Sequence, residues 1–187
     1  QMRASDLLLL NAHQTPEGRD DVDPTAWDIH GAIHRRLPHA RCIMHLHSKF
    51  ATALATLKDP GLPPVDQNSM RFFNRVAIDD GFDGMGLGDE AERIATCLGN
   101  RSVLMMGQHG ILVIGPSVAW CFDTIYYFER AAETYLTALS TGRPLNISSD
   151  AVAEKTAQQW EDYPGFSDKH LAAIHCILTE QEPAYRD

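Results

Sequence analysis

Residues 41–47, RCIMHLH, form a short apolar stretch in which two histidines are separated by one residue. The β-branched Ile43 favours a strand here, and side chains at i and i+2 of a strand lie on the same face. The imidazoles of His45 and His47 are therefore predicted to project together, a few ångströms apart. Neutral imidazole is a good ligand for zinc and other divalent transition metals. The stretch predicts part of a metal site, with two solvated histidines on an exposed strand face as the alternative.

A third histidine lies in residues 107–110, GQHG, between two apolar runs that predict strands at Val103–Met106 and Ile111–Ile114. The flanking glycines permit a tight turn and a close approach of a bulky ligand. If His109 joins His45 and His47, three histidines from two strands leave an open coordination position, which is the arrangement of catalytic zinc sites. A histidine that serves only the turn is the alternative.

Along the rest of the chain, patterns typical of strands and helices alternate in the N-terminal part, and helix patterns dominate in the C-terminal part. A buried strand is predicted at Leu7–Leu10, a helix from an N-cap at Thr25 to Leu37, and the longest helix from Pro116 to about Thr141. This order predicts an α/β (α+β layered) fold in a single domain over residues 1–187. The remaining predictions are helices at Ser48–Leu57, Asp89–Leu98, Ala151–Trp160 and Ser167–Thr179, a strand at Arg75–Ile78, and loops at Lys58–Asn68 and Asp79–Gly88.

Composition excludes several classes of protein. The chain has 187 residues, with 16 Lys and Arg against 25 Asp and Glu, and a formal charge of −9. The acidic balance and the scattered basic residues argue against a nucleic-acid partner. The apolar runs are far shorter than the ~20 residues of a membrane span, so no membrane partner is predicted. Four widely spaced cysteines without a CxxC pair predict reduced thiols and a cytoplasmic protein.

The chain begins with Gln1, and its first strand-like run starts almost at once, at Asp6. This predicts that the N-terminal part of the domain lies upstream.

Two further sequence features are weaker indications of a functional site. His30 and His34 have helical i, i+4 spacing but no accompanying HExxH glutamate, which favours packing or supporting roles. The glycine run at 84–88 lacks the Lys and Ser/Thr of a phosphate loop and predicts a flexible loop.

Six short segments together resemble the class II aldolase/adducin family, in its bacterial adducin-like branch. Their order and spacing along the whole chain follow that family. They are SDLLLL at 5–10, WDIH at 27–30, HLHS at 45–48, GQHG at 107–110, FER at 128–130 and PAYR at 183–186.

The resemblance implies a central, mostly antiparallel sheet flanked by helices and a homotetramer with active sites near the subunit interfaces. It also implies that His45, His47 and His109 bind a divalent metal, zinc foremost, with iron, manganese or cobalt as alternatives. The metal would act as a Lewis acid on a small-molecule carbonyl substrate.

One departure from the family concerns the acid/base group. Aldolases of the family have a glutamate before the tryptophan of the WxxH segment, whereas this chain has Ala26, which can neither ligate a metal nor transfer a proton. Candidate replacements are His30, Asp80 and its neighbours Asp79 and Asp83, and Tyr185 reaching a neighbouring subunit. For the aspartates, an exposed acidic turn is the alternative.

The resemblance favours a metal-dependent lyase that cleaves a C–C bond of a small carbonyl or hydroxy-acid substrate through a metal-stabilised enolate. Retro-aldol cleavage and decarboxylation share that intermediate. Two alternatives stay open: an aldolase-like non-haem iron oxygenase, because three nitrogen ligands also suit iron(II), and a non-enzymatic, adducin-like assembly module. The three histidines favour an enzyme, while the missing glutamate favours the module.

Overall fold

A four-stranded mixed sheet forms the centre of the molecule. The structure, a computed structural model, describes residues 2–163 and 165–187. The strands are β1 (Cys42–Leu46), β2 (Val76–Asp79), β3 (Val103–Met106) and β4 (Gly110–Gly115), in the order β1-β4-β3-β2. β4 pairs antiparallel with β1 and with β3, whereas β2 is parallel to β3. The prediction of a mostly antiparallel sheet is confirmed.

Helices pack on both faces of this sheet. Leu104 and Leu112 point to the face covered by the helices at Pro24–Arg36 and Asp89–Leu98, while Met105 and Ile111 point to the face covered by the helices at Lys49–Ala55 and Val118–Ser140. The two central strands are apolar throughout because both of their faces are buried. The helices in the described residues are α1 (Pro24–Arg36), α2 (Lys49–Ala55), α3 (Gln67–Met70), α4 (Asp89–Leu98), α5 (Val118–Ser140), α6 (Asp150–Glu161) and α7 (Phe166–Gln181).

Three local predictions are wrong. Leu7–Leu10 forms no strand, and Leu9 is 98% exposed. The backbone of this segment pairs with no strand in the part of the chain that the structure describes, so its apolar character alone does not make a strand. Asp23, rather than Thr25, caps α1 by accepting from the Thr25 and Ala26 amides. Part of the loop predicted at Lys58–Asn68 enters α3, which Asp66 caps.

Replacing Leu9 with serine is expected to change the free energy of unfolding by less than about 0.5 kcal/mol, because an exposed side chain buries little on folding. Urea unfolding of the two proteins measures the difference. A loss of more than about 2 kcal/mol, the scale of a buried leucine, would restore the buried-strand interpretation.

The cysteines and the lengths of the helices are two further features of the fold. All four cysteines are free thiols, with Cys121 buried and Cys176 exposed. Among the helices of the described residues, none combines the length and the apolar character needed to cross a membrane.

Candidate metal centre

Three histidines converge at one end of the sheet. His45 lies in β1 and His47 directly follows that strand, while His109 lies in the turn between β3 and β4. Because β4 pairs with β1, with Leu46 opposite Ile111, this turn lies beside the end of β1. One ligand nitrogen from each histidine lies within 4.8 Å of the other two, and the ring centroids are 4.7–4.9 Å apart.

A backbone contact orients the His45 ring. Its Nδ1 hydrogen-bonds the carbonyl oxygen of Ile111 at 3.0 Å, which fixes the proton on Nδ1 and leaves the Nε2 lone pair free. That Nε2 lies 3.1 Å from the Nε2 of His47. Two nitrogens of a tetrahedral zinc site are roughly 3.3–3.4 Å apart, given Zn–N bonds of about 2.0–2.1 Å. The donor set therefore fits a divalent metal.

The protonation of these rings also suits metal binding. Burial, followed by the neighbouring His109, His47 and His30 rings, lowers the pKa of His45 to about 4, against the opposing hydrogen bond to Ile111. Burial and the nearby His47 lower the pKa of His109 as well. Both imidazoles are neutral near pH 7, which is the form that binds metals.

The turn that holds His109 has two conformational requirements. Gln108 has a φ of +57°, in the left-handed region, and its amide donates to the Ala55 carbonyl at 2.9 Å. A Cβ at Gly110 would lie 2.5 Å from the carbonyl oxygen of Leu46. Glycine is needed there because β4 approaches β1 closely, and this approach brings His109 beside His45 and His47.

Glu129 of α5 anchors the segment that follows His47. Its carboxylate accepts from the Ser48 hydroxyl at 2.6 Å and from the amides of Phe50 and Ala51 at 2.8 Å each. These amides lie in the first turn of α2, where backbone N–H groups have no acceptor within the helix. Ser48 occupies the predicted N-cap position, but its hydroxyl binds Glu129 rather than capping the helix. The FER segment marks Glu129 in the sequence, but nothing there identifies a partner some 80 residues away.

The histidines open onto a cleft of about 530 Å³ between α1, the start of α2 and the loop after β2. Thr52 is among the lining residues, and its buried hydroxyl has no hydrogen-bond partner among the described residues. No Lys or Arg is among the residues described as lining it. The lining consists of Thr25, Ala26, Ile29, His30, His45, His47, Thr52, Phe82, Gly84, Met85, Gln108 and His109.

The acid/base candidates are placed differently. His30 lines the cleft, and burial lowers its pKa, with a smaller effect of His34. Asp80 is exposed and is not among the residues that line the cleft. Asp79 is buried in an ion pair with Arg93.

Tyr185 also lies outside the cleft of its own chain. Its hydroxyl hydrogen-bonds Nε2 of His175 at 2.6 Å and the Thr179 hydroxyl at 3.2 Å. Any contact of this tyrosine with a metal site would have to be made across a subunit interface. Asp83, like Asp80, is exposed and is not among the lining residues. Of these candidates, only His30 lines the cleft beside the three histidines within one chain.

Comparison with known proteins agrees with the fold. The chain is 36% identical over 170 residues to a Caulobacter vibrioides protein whose name assigns it to the class 2 aldolases, covering 89% of this chain and 65% of that protein. It is 29% identical over 182 residues to the decarboxylase NovR of Streptomyces niveus, covering 91% of this chain and 65% of NovR. The chain thus spans less than two thirds of the length of these two relatives.

A solved structure and a family model give the same assignment. The crystal structure of an aldolase II superfamily protein from Pseudomonas syringae superposes with a TM-score of 0.88 at 28% identity, covering all of this chain and 76% of that one. The model described as the class II aldolase and adducin N-terminal domain matches residues 1–136. With this match and the shared fold, the chain belongs to the class II aldolase and adducin family.

Proposed function

We propose that this protein is a metal-dependent lyase that cleaves a C–C bond in a small carbonyl or hydroxy-acid substrate. The observation that supports this most directly is the convergence of His45, His47 and His109 beside an open cleft. Three protein nitrogens with an open position are typical of a catalytic rather than a structural site. A non-enzymatic assembly module would have no need of that open position.

The metal would be divalent, with zinc foremost and iron, manganese or cobalt as alternatives. Bound to these three histidines, it would supply Lewis acidity that stabilises negative charge on a substrate oxygen. Retro-aldol cleavage and decarboxylation both need such stabilisation. The name of the decarboxylase relative supports the second of these reactions.

The other cleft residues bind the substrate and move protons. His30, neutral near pH 7, is placed in the cleft to accept a proton from the substrate or to return one to the product. Ala26 leaves space for substrate or water where the family's aldolases have a carboxylate.

The proposed assembly is a homotetramer, in which Tyr185 of one subunit reaches the cleft of another. Contacts with Thr179 and Arg186 lower the pKa of its phenol, which would favour proton transfer. Tyr126, 43% exposed on α5, is among the aromatic side chains available for a subunit contact. Sedimentation at micromolar concentration is expected to show a tetramer, and a stable monomer would contradict this assembly.

Replacing Ala26 with glutamate is expected to lower turnover about tenfold or more without affecting folding. Ala26 is exposed in the first turn of α1, where a carboxylate is tolerated by the helix dipole. A carboxylate there would add an anionic ligand, weaken the Lewis acidity and fill the open position. Steady-state kinetics on a substrate of the unmodified protein measure the effect.

The matched control is Ala151→Glu, which places the same exposed carboxylate in the first turn of α6, outside the cleft. It should keep full activity. Equal or higher turnover by the Ala26 variant would indicate an ordinary aldolase that has moved its acid/base group.

The proposed reaction is tested by loading the purified protein with zinc, manganese, cobalt or iron(II) and assaying a panel of carbonyl and hydroxy acids with and without oxygen. Cleavage products in the absence of oxygen support the lyase. Cleavage only with iron(II) and with consumption of oxygen would favour the oxygenase alternative, which the three nitrogen ligands also permit. Retained metal without turnover on the whole panel would favour the non-enzymatic module.

A further inference from the structure

Residues 80–88 form the loop after β2, and three large apolar side chains on it are exposed to solvent. Phe82 is 46% exposed, Met85 68% and Leu87 47%. Phe82 and Met85 line the cleft beside the three histidines, together with Ile29 of α1, whereas Leu87 does not. Exposed apolar surface costs roughly 25 cal/mol per Å² relative to burial, so a concentration of it beside a proposed site favours a ligand that covers it.

Glu90 holds the middle of this loop in place. Its largely buried carboxylate accepts from the Asp83 amide at 3.0 Å and from the Gly86 amide at 2.7 Å. Arg93 bridges Glu90 to the buried Asp79, which also lies at the base of the loop. The sequence predicts a flexible loop here, and these contacts tie part of its backbone to α4.

The end of the loop is held against α1. The Gly88 amide donates to the Asp28 carboxylate at 3.0 Å. Gly86 has a φ of +81°, and a Cβ there would clash with the Ile29 side chain at 2.4 Å. The backbone at Gly86 therefore packs closely against Ile29, and Ile29, Phe82 and Met85 all line the cleft.

The Phe82 ring lies next to the metal ligands. Its centroid is 6.1 Å from that of His109, with the two rings nearly perpendicular at 83°. The remaining surface of Phe82 is free to contact a ring or an alkyl group of a bound molecule. A molecule whose oxygen atoms lie at the three histidines would thus place its next few carbon atoms beside Phe82 and Met85.

The charged residues around the cleft also favour an apolar ligand over a phosphorylated one. The described lining residues include no Lys or Arg, and the nearby guanidinium of Arg93 is paired with Asp79 and Glu90. These lining residues therefore offer no cationic partner to a phosphoryl group. Phe82 and Met85 offer an exposed apolar surface to an apolar group.

We propose that the substrate of this site carries an apolar group, a ring foremost, which packs against Phe82 and Met85 while its oxo- or hydroxy-acid end lies at the three histidines. Phe82 and Met85 are then specificity-determining residues. The metal-binding end of this assignment rests on the proposed function, whereas the apolar end rests on the exposed side chains and the fixed loop.

The test uses the full chain loaded with cobalt, whose visible spectrum reports binding near the metal without turnover. Phenylpyruvate, pyruvate and phosphoglycolate are titrated separately. Covering roughly 60 Å² of apolar surface corresponds to about a tenfold gain in affinity. Phenylpyruvate is therefore expected to bind about tenfold or more tightly than pyruvate, and more tightly than phosphoglycolate.

Two variants of the same loop complete the test. Phe82→Ala is expected to weaken phenylpyruvate binding about tenfold and leave pyruvate binding unchanged. Leu87→Ala, which removes an equally exposed side chain outside the cleft, should change neither. Equal binding of phenylpyruvate and pyruvate, preference for phosphoglycolate, or equal effects of the two variants would overturn the proposal.

The outcomes separate this proposal from the lyase itself. A protein that retains cobalt and prefers phenylpyruvate but cleaves nothing would contradict the lyase and support the apolar subsite. A protein that cleaves a carbonyl acid without any preference for an apolar group would do the reverse.

Discussion

Replacing His109 with alanine is expected to lower metal affinity by more than 100-fold and to abolish turnover. Loss of a group that merely supports a metal ligand costs about 10–100-fold in affinity, so loss of one of only three ligands should cost more. His109 lies in a turn with its ring partly exposed, which leaves the hydrophobic core intact. The loss should therefore appear in metal binding rather than in folding.

Competition with a chromophoric chelator measures this affinity for the variant and for the unmodified protein. The control is His34→Ala, which removes an exposed imidazole on α1 outside the cleft. Unchanged affinity in the His109 variant, or an equal loss in the control, would mean that the metal is bound elsewhere.

Replacing Glu129 with alanine is expected to reduce the free energy of unfolding by about 2–4 kcal/mol and metal affinity by about tenfold. The substitution leaves the Ser48 hydroxyl and the Phe50 and Ala51 amides without their acceptor. Hydrogen bonds to a charged group contribute roughly 1.5–3 kcal/mol, and a buried donor left unpaired costs about 1–3 kcal/mol. Metal affinity should fall because α2 starts directly after His47.

Glu129→Gln keeps one carboxyl-type oxygen and should lose less of both quantities. Glu133→Ala is the matched control, because Glu133 lies one turn further along α5 and only makes a surface ion pair with Arg130. Denaturant unfolding and chelator competition give the two readouts. Lower stability with unchanged metal affinity would show that Glu129 supports the fold alone and does not position His47.

The histidine cluster is the part of the site that the sequence predicts best. The strand period of two places His45 and His47 on one face, and the glycines of the GQHG turn indicate where a third histidine can approach. Both signals are local, since each depends on a few consecutive residues. The structure brings the three rings together, and their role as ligands stays a proposal.

Contacts between distant segments explain what the sequence does not predict. Glu129 binds the start of α2, and Glu90 fixes a glycine-rich loop that predicts flexibility by composition alone. Leu7–Leu10 has the apolar character of a buried strand, yet whether it becomes one depends on a partner strand. The sequence likewise does not show that Asp80 is exposed and outside the lining of the cleft.

The most direct test of the central claim is anomalous diffraction from crystals of the zinc-loaded protein, recorded on both sides of the zinc absorption edge. The account predicts one peak per chain, about 2.0–2.1 Å from a ring nitrogen of each of His45, His47 and His109. A zinc peak away from these histidines, or one bound by His45 and His47 while His109 points elsewhere, would contradict it.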